Sequence, residues 1–393
     1  MIYGYVAKLS APQVFKKYFE AARVKPAQQA QKYHRLMAEG LAANEDVQVT
    51  VIGMPPISRK ITKTVFFPSE MVNDGGVTYQ SMRLVNLPIL LQIAAFFSTF
   101  HHVRNLCRKD PDCTIVCDVL NITMSAAALL AAKFSRAKTV GIVTDVPMFL
   151  GGKLQWITKP INQFLLSRFS AFVLLTEQMD AVVNKRNSPY VVIEGQADIR
   201  MSVLDNELTG KAPERVCMYA GSVNKVNGID MLVKAFIMAN ISDVVLQIYG
   251  KGDYEAELKQ ICEEHANIRF GGAVPNEYII MEQIKAMLLI NPLPTHQEYT
   301  KYSFPSKTLE YMASGTPVLT TKLPGMPKDY YPYVYLIEDE TAEGLKENLQ
   351  DLLARPMEEL HDKGAEAKDF VLSEKNNVFQ AAKMIELAKV NTD

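Results

Sequence analysis

No apolar run in this sequence reaches the length of a membrane span. The longest, Leu84–Phe100 (LVNLPILLQIAAFFSTF), stops at 17 residues and is broken by Asn86, Pro88 and Gln92. A spanning helix needs about 20 apolar residues. The opening MIYGYVAKLSAP reads as a short apolar strand and a polar loop, without the apolar core of a signal peptide. Cysteine is scarce. There are five, an odd number, in no secreted-domain pattern, which implies reduced thiols and a cytoplasmic setting. Cys107, Cys113 and Cys117, with His101 and His102, fit no zinc-finger spacing, so no metal site is expected. Tandem repeats and low-complexity tracts are missing too. The net charge of −1 gives the whole chain no attraction to nucleic acid.

What is present points to a two-domain globular protein. The 393 residues suffice for two domains of roughly 150–200 residues each. Charge is unevenly spread. Residues 1–200 hold 23 Lys/Arg and 14 Asp/Glu, and the remainder holds 19 and 29. A basic half joined to an acidic half faces different surroundings, or the two attract each other across a cleft. The basic half could meet an anionic membrane or a phosphorylated acceptor. The Leu84–Phe100 segment, flanked by Arg83, His101, His102, Arg104, Arg108 and Lys109, reads either as a membrane-interfacial helix or as a core helix of the first domain.

Short apolar runs rich in Val and Ile alternate with helix-period segments. The expected strands are Ile2–Ala7, Val47–Gly53, Thr114–Cys117, Thr139–Thr144, Ala171–Thr176 and Tyr190–Ile193. A second series follows: Arg215–Ala220, Val244–Tyr249, Asn267–Phe270, Ala286–Asn291, Pro317–Thr321 and Val334–Ile337. Such alternation predicts an α/β protein of two doubly wound, parallel-sheet domains facing each other across a cleft. The expected layout is a first domain over 1–195, a linker over 196–214 and a second domain over 215–365. A helical segment over 366–393 returns to the first domain.

The second half places its chemistry at strand-to-loop junctions. YAGSVNKVNGID leaves a strand at Gly221 and opens a helix near Gly228, which presents backbone N–H groups to an anion. IYGKGDYEAEL turns at Gly250, FGGAVPNE contains Val274, and INPLPTHQEY ends a strand. The most informative stretch is FPSKTLEYMASGTPVL, Phe304–Leu319. Ser306, Lys307 and Glu310 share one helical face there, and Leu309, Met312 and Ala313 share the buried one. A helix N-terminus with Lys307 beside it suits a diphosphate. Glu310, one turn deeper, can accept two hydrogen bonds from vicinal ribose hydroxyls. The alternative is a Lys307–Glu310 surface ion pair of a few tenths of a kcal/mol.

These motifs, in this order and spacing, resemble the nucleotide-sugar domain of retaining glycosyltransferases of family 4, with the GT-B fold. The Phe304–Leu319 stretch looks like the variant found in enzymes that build capsular and other cell-surface polysaccharides. The resemblance covers Arg215–Leu353 well. It covers the first half loosely, through the layout and stretches such as QKYHRLMAEGL, 31–41, and LLTEQM. It implies a nucleotide diphosphate sugar, UDP- or GDP-linked, as donor substrate, with no cofactor and no metal. It further implies transfer with retention to a glycan or lipid-linked acceptor, with the protein cytoplasmic or peripheral at the inner membrane face. In the family, two glutamates lie eight positions apart. The ribose-binding one matches Glu310, and the place of the other is Tyr302, with Glu298 four residues earlier as its substitute. The usual Arg after the first-junction glycine is Ser222, and the usual Lys six residues after that glycine is Asn227. Lys225 or Lys307 then remains to hold the diphosphate. The donor set expected from the resemblance is Gly221, Ser222, Lys225, Gly250, Val274, Tyr302, Phe304, Ser306, Lys307, Thr308 and Glu310, with backbone near Val274 reading the base.

The family's strand-end histidines of the first domain are replaced by lone carboxylates, Asp118 in IVCDVLN and Asp145 in IVTDVP. Each closes an apolar strand, where ligands bind in such sheets, and could orient or deprotonate an acceptor hydroxyl. Otherwise each is a local cap. Glu298, Asp118 and Asp145 are the catalytic candidates. Two other readings of the fold remain: a non-catalytic partner protein, which Ser222, Asn227 and Tyr302 suggest, and a nucleotide-sugar epimerase, against which six histidines in total argue.

Overall fold

The computed structural model describes residues 1–23, 28–149 and 155–389. The chain divides into two compact units, residues 1–196 with 377–393, and residues 197–376.

The first unit runs β1 (Ile2–Ala7), α1 (Pro12–Ala21), α2 (Gln29–Ala42), β2 (Gln48–Gly53), β3 (Phe66–Phe67), β4 (Met71–Asp74), β5 (Val77–Ser81), β6 (Leu84–Val85), α3 (Pro88–Lys109) and β7 (Thr114–Asp118). It continues through α4 (Ile122–Ser135), β8 (Lys138–Val143), α5 (Gln155–Leu166), β9 (Ala171–Leu174), α6 (Asp180–Val183) and β10 (Tyr190–Val192). Eight strands form one sheet in the order β10-β9-β8-β7-β1-β2-β5-β4, and β3 pairs with β6 apart from it. The sheet is parallel except for β4, which pairs antiparallel with β5. β1 and β7 are buried almost throughout, as strands covered on both faces must be. From β1 the chain moves to β2 on one side and then to β7 on the other, so the switch point lies between β1 and β7.

The second unit runs β11 (Arg215–Ser222), α7 (Ile229–Ala239), β12 (Val244–Lys251), α8 (Glu255–Glu264), β13 (Ile268–Gly272), α9 (Asn276–Lys285), β14 (Leu288–Asn291) and α10 (Ser306–Ala313). Then come β15 (Val318–Thr321), β16 (Tyr335–Ile337), α11 (Ala342–Ala354) and α12 (Met357–Glu374). Its six-stranded sheet has the order β13-β12-β11-β14-β15-β16 and every pairing is parallel. The switch point here falls between β11 and β14. One core forms around Cys217, Leu246 and Leu345, and another around Leu289, Leu309 and Val371.

Two sequence expectations are revised. The 196–214 stretch is tied into the second unit rather than loose. Met201 is buried in its core, Asn206 donates to the Ser314 carbonyl at 2.7 Å, and the Lys211 ammonium donates to the Ile284 carbonyl at 2.8 Å. Its polar residues lack a period because they bind backbone. The expected single helix from 366 is two. α12 ends at Glu374, and α13 (Asn377–Lys389) starts anew and packs on α2 in the first unit. The expected end, Val390 and beyond, lies outside the described residues.

Candidate functional site

In the second unit the strand ends bordering the switch point carry the candidate donor residues. α10 begins at Ser306 after Pro305, with no side-chain cap on its first amides. A helix end without a cap leaves N–H donors for a ligand. Behind this end stands Lys307. Its ammonium donates to the Tyr219 hydroxyl at 2.8 Å and lies 4.2 Å from the Tyr219 ring centroid. Tyr219 in turn donates to the Ser222 carbonyl at 2.8 Å, and Asn227 donates to the same carbonyl at 3.0 Å. Burial pushes the Lys307 pKa down to about 7. Gly221 makes the arrangement possible, since a Cβ there would sit 2.5 Å from the ammonium. The alternative reading, a Lys307–Glu310 surface pair, gives way to this inward contact with β11, because a half-buried ammonium does better on a phenol and its ring than alone.

Tyr311 locks the same corner. Its hydroxyl accepts from the Ala220 amide at 2.7 Å and donates to the Ala220 carbonyl at 3.0 Å. The β11–β14 ladder involves only Cys217 and Met218, so a helix side chain satisfies the strand end beyond it. Glu310 is half-buried on α10, and the amide of the buried Gln283 on α9 donates to its Oε1 at 3.0 Å. A carboxylate held by a neighbouring amide is pre-oriented.

The remaining donor candidates separate into two groups. Gly221, Ser222 and Gly250 stand at the ends of β11 and β12, where Gly221 pairs with Gly250 and Ser222 with Lys251. Gly250 has φ +139°, and a Cβ on it would strike the Gly221 carbonyl. Ser306 is exposed at the start of α10, and Val274 is half-buried between β13 and α9. Lys225 points elsewhere. Its ammonium pairs with Glu257 at 2.5 Å and lies 5.2 Å from the Tyr254 ring centroid. Phe304 and Thr308 prove to be core residues. Phe304 packs on Tyr330 with centroids 4.9 Å apart, and the Thr308 hydroxyl accepts from Asn291 at 3.1 Å. Both face the apolar side of α10 and its approach. Glu298 is exposed on a short 3-10 turn that ends at the half-buried Tyr302.

The first unit has its own strand-end cluster. Asp118 closes β7 at the switch point and is buried. Its Oδ1 accepts from the Leu120 amide at 3.0 Å. The actual helix cap of α4 is Asn121, whose side chain accepts from the Met124 amide. His34 of α2 places Nε2 3.6 Å from Asp118 Oδ2, and its Nδ1 lies 2.8 Å from the Tyr5 hydroxyl. Burial lowers the His34 pKa, and the Asp118 carboxylate opposes that shift. Neutral His34 that accepts from Tyr5 and aims Nε2–H at Asp118 is the tautomer that uses both groups. Asp145, after β8 on the adjoining strand, is exposed. Partial desolvation and then the Asp118 charge raise its pKa. His34, Tyr5, Tyr219, Tyr311 and Gln283 were not singled out by the sequence. His34 sits inside 31–41, QKYHRLMAEGL, where its only signal was the family resemblance.

Residues 214–355 match the family of glycosyl transferases group 1. That stretch lies within the second unit and contains β11, β14 and α10. No curated protein sequence matches the chain. Solved structures do. The sucrose-phosphate synthase of Thermosynechococcus elongatus superposes with a TM-score of 0.66 at 16% identity, over 98% of both chains. Anabaena Alr3699/HepE in complex with UDP gives 0.65 at 15% identity, over 98% of this chain and 99% of that one. The E. coli trehalose-6-phosphate protein bound with UDP-2-fluoro glucose gives 0.67 at 10% identity, over 100% of both. At these identities the likeness shows the fold, which is GT-B with its two Rossmann-like sheets. The family match concerns residues 214–355, so that stretch of the second unit is similar to glycosyl transferases group 1.

Proposed function

We propose that this protein is a retaining, metal-independent glycosyltransferase. It moves a sugar from a nucleotide diphosphate sugar to a hydroxyl of a glycan or lipid-linked acceptor, in the synthesis of a cell-surface polysaccharide. The observation that carries the reading is the corner at β11 and α10, where Lys307, Gly221 and an uncapped helix start meet about one turn from an oriented carboxylate, Glu310. The amides and Lys307 hold the diphosphate and take up the charge that develops as the C1–oxygen bond to phosphate breaks. Glu310 holds the ribose diol. Lys307 is the cation of this site, because Lys225 is engaged by Glu257. On the acceptor side Asp118 orients the attacking hydroxyl, and the neutral His34 fixes Asp118. The acceptor oxygen bonds to C1, and its proton passes to Asp118 or to the departing diphosphate. The neighbours with UDP or UDP-glucose bound support a UDP-sugar as the first donor class to try.

A second reading, a non-catalytic partner of the same fold, draws on Ser222, Asn227 and Tyr302 in place of the family's Arg, Lys and Glu. Incubation with UDP- and GDP-sugars plus simple acceptors separates the two. Transfer with the donor's anomeric configuration in the product supports the enzyme. Nucleotide binding without turnover across the donor panel supports the partner.

A further inference from the structure

Two thiols of the first unit meet at a place that the sites above do not use. Cys107 lies in the last turn of α3, and Cys113 stands just before β7. Residues 108–112 separate them, and the chain folds back sharply there. The Cys113 amide donates to the Asp110 carbonyl at 3.3 Å, and the Asp112 amide donates to Asp110 Oδ1 at 3.0 Å. Asp at the first position of a turn and Pro111 at the second are the residues that favour such a reversal. The turn returns Cys113 to the helix it has just left. Its Sγ donates to Cys107 Sγ at 3.1 Å, and both side chains are buried.

The contact makes the two sulfurs unequal. The bond from Cys113 lowers the Cys107 pKa, burial opposes this, and Ser135 and Arg104 add to the lowering. The same bond, and then burial, raises the Cys113 pKa. One sulfur is the readier thiolate and its neighbour a thiol, as in an attacking and a resolving cysteine. A disulfide needs the sulfurs about 1 Å closer, a shift that a helix end and a turn can absorb. The other three cysteines are differently placed. Cys117 and Cys217 are buried in strands, where burial raises both thiol pKa values, and Cys262 is half-buried on α8 of the second unit. We propose that Cys107 and Cys113 are a redox modification site, which a hydroperoxide converts to a disulfide and a dithiol restores. The Cys107 thiolate attacks one peroxide oxygen, the O–O bond breaks, hydroxide leaves, and Cys107 becomes a sulfenic acid. The Cys113 sulfur then attacks the Cys107 sulfur, the S–O bond breaks, and the Cys113 proton leaves with the hydroxyl as water. Two thiols lose two electrons, and the peroxide becomes two waters. The disulfide pins the end of α3 to the start of β7, the strand whose far end carries Asp118. The proposal rests on this pair alone and stands apart from the donor chemistry.

The full chain, reduced and then freed of reductant, is treated with hydrogen peroxide, denatured in N-ethylmaleimide and mapped by mass spectrometry. The expected result is a Cys107–Cys113 disulfide, with these two of the five thiols lost at least tenfold faster than Cys117 or Cys217. Dithiothreitol should restore both. The oxidised chain should melt a few degrees higher, as closing even a short loop implies. Cys113→Ala should abolish the disulfide and leave a sulfenic acid on Cys107 that dimedone traps, while Cys262→Ser should leave the disulfide intact. The wild-type map alone tests the pairing, even where a variant fails to fold. The proposal is overturned if Cys107 and Cys113 stay thiols while Cys262 is oxidised. It is equally overturned if either pairs with another cysteine instead, or if Cys107 passes to the sulfinic acid with Cys113 in place.

Discussion

In the proposed donor site Glu310 and Lys307 act by opposite means. Glu310 is a carboxylate kept ready by an amide, and Glu310→Ala should weaken UDP or GDP binding at least tenfold, about 1.4 kcal/mol, with no change in melting temperature beyond a degree or two. Lys307 is a cation that burial has made titratable near neutrality. Its pKa falls from 10.5 to about 7 on folding. Between those values the folded chain lacks a proton that the unfolded chain carries, so this residue's contribution to stability rises with pH across the window. Below it, the full cost of burying an ammonium is present. A bound diphosphate favours the ammonium, so nucleotide binding at pH 8 should take up protons and affinity should fall as pH rises above about 7. Calorimetry in buffers of different ionisation enthalpy measures this uptake, which Lys307→Met should abolish. On the acceptor side, Asp118→Asn should lower turnover at least tenfold while leaving nucleotide affinity unchanged. Equal losses in both would place Asp118 in structure rather than in chemistry. The sequence made Glu310 and Asp118 legible because each sits where an apolar pattern meets a lone carboxylate. His34 and Tyr219 were illegible, because an apolar environment hid one inside a helix and the other inside a strand.

At the level of elements, the strands that read clearly were the buried ones. Thr114–Cys117 and Ala171–Thr176 correspond to β7 and β9 within two residues. The β4–β5 hairpin was missed, since its edge strand Met71–Asp74 alternates half-exposed and exposed residues and offers no apolar run. The Leu84–Phe100 segment joined two elements. Leu84 and Val85 form β6, and Pro88, which cannot donate to a helix turn, starts α3 at its first position. The break between α12 and α13 at Lys375–Asn376 was also unread, because no glycine or proline marks it. Its reason is tertiary. The α13 start is fixed on α2, where Asn377 donates to the Leu36 carbonyl at 3.2 Å. Gly40 permits that approach, for a Cβ would lie 2.1 Å from the Asn377 carbonyl oxygen. Gly40→Ala should therefore destabilise the first unit by about 1–3 kcal/mol, the usual cost of overpacking, against the stabilisation that Ala normally brings to a helix interior. Thermal denaturation checks the sign.

For the whole molecule, the alternation of strand and helix was enough to predict two parallel-sheet domains, and the structure has them, with eight and six strands in their main sheets. Chain order fixes the rest, because a doubly wound sheet exposes its switch point at the carboxyl ends of its strands. In the second unit those ends are Ala220–Ser222 and Asn291, and in the first they include Asp118. Which cation would serve the diphosphate was not decidable from spacing, since Lys225 lies in the turn after Gly221 and Lys307 at a helix start, and both positions suit an anion. We propose Lys307 for that role, because it packs on Tyr219 at the end of β11. We propose that the second unit builds a nucleotide diphosphate site on α10. Calorimetric titration of the full chain with UDP and GDP, beside Glu310→Ala, tests it most directly. Saturable binding of one nucleotide, weakened at least tenfold in the variant, is the expected result. Binding that Glu310→Ala leaves unchanged, or no binding of either nucleotide, would contradict it.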